Sequence, residues 1–114
     1  MTVPVDELFA AYTASAERWH ELRGDARAAN PVFDENARLA ARLRRSDEGC
    51  AAIAVLLDHP ASGVRVLAAA HCIDAFPERA SVVLEELRVG AGLHAIAAEH
   101  TLTEFRAGTL HVDD

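Results

Sequence analysis

The chain has 114 residues, 51% hydrophobic and 25% charged, with a formal net charge of −7. That length fits one domain, expected over 1–114 with a core from about 6 to 108 and a short C-terminal tail, and the composition excludes a disordered chain. All eleven basic residues are Arg, and the acidic balance disfavours a general nucleic-acid binder, which needs clustered cations along the phosphate backbone.

Alanine is abundant, aromatics are few and β-branched clusters are short, which favours closely packed helices over sheets. The N-terminus, MTVPVDELF, lacks the basic start and apolar run of a signal peptide. No stretch approaches the roughly 18 apolar residues of a membrane span. A cytoplasmic protein with no membrane partner and two reduced thiols is expected.

The first helix is expected from about Asp6 to Leu22, with Leu8, Tyr12, Ala16 and Trp19 on one apolar face. RGDARAA reads as a polar connection. Asn30-Pro31 reads as the start of helix two, Asn capping and Pro in the first helical position. Ser46-Asp47-Glu48 opens helix three, and DHPASG breaks it at Pro60 and Gly63. Helix four follows from about Ser62 to Ala75. Pro77 opens helix five, which ends near Gly90. Helix six covers about Leu93 to Arg106 with Gly108 as its stop.

A faint repeat runs through this pattern. A shift of thirty residues pairs Cys50 with Ala80, Ile53 with Val83, Leu57 with Leu87, Ala68 with Ala98 and Cys72 with Leu102. Helical hairpins repeating at such a period suit an α-solenoid, in which each pair buries its open face on the next.

Within LLDHPASGVRVLAAA at 56–70, both charges stand at the wrong helix ends. Asp58 closes one helix, where negative charge is disfavoured, and Arg65 opens the next, where positive charge is disfavoured. A hairpin that lets Arg65 reach Asp58, or the carbonyls ending helix three, removes both objections. The pair is therefore read as a structural clamp. A catalytic or anion-binding role is the alternative, though no nucleophile or glycine-rich cradle accompanies it.

Asp58-His59-Pro60 followed by Val64-Arg65 and Ala68-Ala69 resembles the turn and second helix of a HEAT repeat. With ANPVFDE at 29–35, FPERA at 76–80 and AEHTLTEFRAGTL at 98–110, the chain resembles small bacterial HEAT-like proteins catalogued as a domain of unknown function. The likeness covers about residues 8 to 110. It implies an all-α fold, a right-handed HEAT-like stack of three antiparallel helical hairpins. It transfers no reaction and no catalytic residues. Some related helical-repeat proteins are suspected immunity partners of bacterial toxins. Leu67, where a solvent-facing residue is expected, and Gly63, which weakens a helix start, depart from the repeat pattern.

Two stripes are candidate partner surfaces. Leu67, His71 and Asp74 recur at i, i+4, i+7 on helix four, facing outward or along a concave groove if Val64, Ala68, Cys72 and Phe76 face the core. Arg38, Arg42 and Arg45 line one side of helix two, with Arg44 adjacent, and Asp34 four residues before Arg38 and the helix dipole favour a solvated face over a partner site. From Asp74 to Asp114 eight acids stand against three arginines, enough to steer a basic partner to that end.

Metal and catalytic readings find less support. Cys50 and Cys72 flank the turn of one hairpin, as core thiols or a labile disulfide. His71 and Cys72 point about 100° apart on a helix, and no CxxC or HxxxH completes a zinc set. No metal and no cofactor is expected. Ser62 reads as a helix cap, and Trp19 and Phe105 read as core anchors.

The expected function is a protein-interaction module. It binds an unidentified partner through the groove of helices two, four and six, with toxin immunity as one instance. The alternative is a small ligand-binding domain or enzyme using polar groups near the helix-four turn.

Overall fold

The computed structural model describes residues 3–90 and 92–110. Among them are six α-helices, one 3-10 turn and no strand. The helices are α1 (Val5–Glu21), α2 (Ala26–Leu43), α3 (Asp47–Val55), α4 (Ser62–Cys72), α5 (Pro77–Arg88) and α6 (Leu93–Ala107). The all-α expectation therefore holds.

Local chemistry sets the boundaries. Ser46 caps α3 by accepting the Gly49 amide at 3.0 Å, and Pro77 stands in the first turn of α5. Gly108, at φ 74°, adopts the left-handed conformation that ends α6. Helix two departs from expectation. It starts at Ala26, where the Asp25 carboxylate accepts the Ala28 amide at 3.1 Å, and Pro31 falls inside it. The second half of the segment read as a connection is thus the first turn of α2, and its Ala29 is buried. Helix four stops at Cys72, short of Ala75, and α3 tightens into the 3-10 turn Leu56–Asp58 instead of ending in a plain break.

Each helix packs on the next along the chain, most extensively α1 on α2 and α5 on α6. Helix four is central, touching α1, α3, α5 and α6. Its Val64, Ala68, Ala69 and Cys72 are buried against Tyr12, Ala16, Ile53, Leu84 and Leu102 in one core. Small residues let the backbones approach. A Cβ on Gly49 would stand 1.8 Å from the Leu43 carbonyl oxygen, so the α2–α3 junction requires glycine. Between α1 and α2 the buried Asn36 donates from Nδ2 to Ser15 Oγ (2.9 Å) and to the Tyr12 carbonyl (3.3 Å).

The ionic fastener is not where the sequence places it. Among the described residues no hydrogen bond or ion pair joins Asp58 to Arg65. The exposed Asp58 and half-buried Arg65 line one cavity with Arg79 and Glu86. The reason lies in the turn: His59 is extended at ψ 142° and carries the chain away from Asp58 before α4 begins. An ion pair is found instead between Arg44, at the end of α2, and Asp74, just beyond α4.

Candidate functional site

A cavity of about 340 Å³ opens between α2, α4 and α6, with Trp19 of α1 as a side wall. Alanines 37, 40, 70 and 97 leave the space; Phe33, Val66 and Leu67 add apolar surface, and Leu110 reaches its edge. Leu110 arrives there because its amide and that of Thr109 fold back onto the Glu104 carbonyl, at 3.1 and 2.9 Å. The volume falls at the lower end of the range of small-ligand pockets, roughly 300–1,000 Å³. No membrane-crossing helix, long and apolar enough for that task, occurs among the described residues.

His71 supplies the cavity with polarity. Its Nδ1 stands 2.7 Å from the hydroxyl of Tyr12, a residue with no exposed surface. Burial, then Cys72, pushes the Tyr12 phenol well above its ordinary value, so the phenol keeps its proton and donates. Burial, then Arg44, lowers His71 to about 4, so the ring is neutral. With Nδ1 accepting, the ring proton sits on Nε2. Thr101 also lines the cavity, and its hydroxyl donates to the Ala97 carbonyl at 3.0 Å.

The three members of the first stripe separate. Leu67 is 4% exposed and part of the core as well as the cavity wall. It is not a solvent-facing residue; it packs within the core cluster around α4. His71 is half-buried, and Asp74 is exposed and bound to Arg44. Arg38, Arg42 and Arg45 are all exposed, and the last two edge a separate shallow cavity with Val5, Leu8 and Glu48. Arg44, next to that stripe, turns inward instead.

Trp19 packs against the core, as expected, and also walls the cavity. It is half-buried and lies 6.1 Å from Phe33 and 5.2 Å from His94, ring centre to ring centre. No disulfide joins the two cysteines. Burial is the main reason the Cys72 thiol is pushed up to about 12, which makes it inert. Among the described residues no group of three His, Cys, Asp or Glu is arranged to hold a metal.

A second polar cluster stands at the head of α4. His59 Nδ1 accepts the Ala61 amide at 3.0 Å, and its Nε2 meets Glu17 Oε2 at 3.0 Å. His20 Nδ1 accepts the Gly63 amide at 3.0 Å. His94 Nδ1 stands 2.8 Å from Ser62 Oγ, while its buried Nε2 has no hydrogen-bond partner among the described residues. Ser62 is therefore not the cap expected of it: Ala61 holds the cap position, and the Ser62 hydroxyl meets His94. The three histidines are far apart in sequence, and only their shared position beside helix ends hints that they meet.

No family model matches the chain, and neither the curated proteins nor the solved structures include a match.

Proposed function

We propose that the chain is a protein-interaction module that recognises a partner through the groove between α2, α4 and α6, on a scaffold of right-handed, HEAT-like helical pairs. Toxin neutralisation is one instance of such a task. The observation that carries the reading is the apolar cavity between those helices, walled by Trp19, Phe33 and Leu67 and floored by alanines. Mutual exclusion of water around a buried aromatic or aliphatic anchor is the usual source of affinity at such a place. No chemistry is required.

The test uses a photoreactive residue at Ala70 in the groove and another at the exposed Val89, outside the groove lining. Crosslinking of one partner from Ala70 and not from Val89 supports the reading. Filling the groove with Ala70→Trp is expected to weaken capture about tenfold or more. Undiminished capture by a folded Ala70→Trp chain overturns it.

A second reading, a small-ligand or enzymatic domain at the head of α4, draws on the 2.8 Å contact between Ser62 and His94. A Ser–His pair becomes nucleophilic when a third group orients the base, and His94 Nε2 has no such partner. Labelling of Ser62 by a fluorophosphonate would favour this reading; an unlabelled chain favours the first.

A further inference from the structure

We propose that His20 and His94 form an acid-operated latch at the head of α4. It holds α1, α4 and α6 together while both rings are neutral, and frees Trp19, a wall of the groove, when they protonate. The consequence for the groove rests on the function proposed above; the latch itself does not.

The latch joins three helices at one point. His20 lies in the last turn of α1, Ser62 and Gly63 in the first turn of α4, and His94 in the first turn of α6. The His20 and His94 rings stack with centres 5.2 Å apart. His20 is seated tightly on the helix start: a Cβ on Gly63 would fall 2.7 Å from its ring and its own Cβ. Gly63, which weakens a helix start on propensity alone, is the residue that permits this contact.

Protonation acts on the two rings differently. His20 accepts the Gly63 amide through Nδ1, and an imidazolium has an N–H at that atom and accepts nothing. The bond is lost. His94 can keep its contact with Ser62, but its charge would lie at the positive ends of α4 and α6 together. It is 7% exposed, and among the described residues no carboxylate is hydrogen-bonded to it. Two imidazolium rings at stacking distance also repel.

The surrounding charges reinforce this. Burial, then Arg23, His59 and Arg65, lowers the His20 value, opposed only by Glu21. Burial, then His20 and Arg23, lowers that of His94. Glu17 is engaged by His59, and among the described residues no carboxylate is hydrogen-bonded to either of the first two rings. Both folded-state values are depressed, so the closed state binds fewer protons than the open one. Closure is complete above the free imidazole value of about 6.5 and is lost as pH falls through the folded values.

Hydrogen exchange of the whole chain, corrected for intrinsic rates, tests the latch between about pH 7.5 and 5. The expected result is a loss of protection of about tenfold or more at the first-turn amides of α4, accompanied by a change in emission from Trp19, the single tryptophan. The double variant His20→Asn/His94→Asn keeps an acceptor at each place and is expected to flatten the response. Unchanged protection in the native chain overturns the proposal, as does an undiminished step in the variant. If the variant does not fold, imidazole titration by NMR decides: values for His20 and His94 at or above that of free histidine overturn it. A latch that responds while the groove captures no partner at any pH removes the function proposed above and leaves the latch standing.

Discussion

Arg44 grips Asp74 with both arms of its guanidinium, Nη1 to Oδ1 at 2.7 Å and Nη2 to Oδ2 at 2.5 Å, while Nη1 also donates to the His71 carbonyl at 2.6 Å. The contact ties the C-terminal end of α2 to the segment just beyond α4. The arginine side chain is 7% exposed and the aspartate 49%, so the partners are unequal. Removing the carboxylate takes two charge-assisted hydrogen bonds from a largely buried guanidinium, whereas removing the guanidinium leaves an anion that water can solvate.

Asp74→Ala is therefore expected to cost about 1.5–3 kcal/mol, the range of hydrogen bonds to charged groups. In a chain of this size that corresponds to a Tm drop of roughly 10 °C. Arg65→Met, at the residue first read as the clamp, is expected to change stability by less than about 0.5 kcal/mol. Thermal melts of both variants check the assignment, and the reverse order would refute it.

His71 predicts an acid-side loss of stability at the opposite end of α4. Its folded value of about 4 lies below the free value, so the folded state binds fewer protons and the unfolded state gains on acidification. The contribution is fully present above about pH 6.5 and is lost as pH falls toward 4, by up to about 3 kcal/mol. Urea titrations across that window should show a shallower pH dependence for His71→Gln than for the native chain. Identical slopes would place the response elsewhere.

The glycines give a paired expectation. Gly49→Ala drives a methyl group into the Leu43 backbone and is expected to cost more than about 3 kcal/mol, since neither helix can yield without opening the α2–α3 junction. Gly24→Ala meets nothing within 4 Å and is expected to be neutral or to stabilise by about 0.4–1 kcal/mol. Denaturation midpoints distinguish the two, and equal tolerance would contradict the close approach.

Much of the architecture was legible because strong punctuation marks it: Ser46, Pro77 and Gly108 each act as their chemistry dictates. Helix two began earlier than expected because Asp25, inside a polar run, is a better cap than Asn30-Pro31 suggests. The clamp was misplaced because dipole reasoning weighs charges close along the chain, and Arg44 and Asp74 are thirty residues apart. That separation equals the period of the faint repeat, which was the available signal. The histidines at the head of α4 left less trace. Each lies near a different helix end, and only the packing of α1 and α6 around α4 brings them together.

The groove owes its existence to omission: four methyl-sized side chains stand where bulkier ones would have closed the space. Its contour is therefore adjustable one carbon at a time, from helices already anchored elsewhere. Related chains with different occupants would be expected to vary at those four alanines first, while the Arg44–Asp74 tie stays constant.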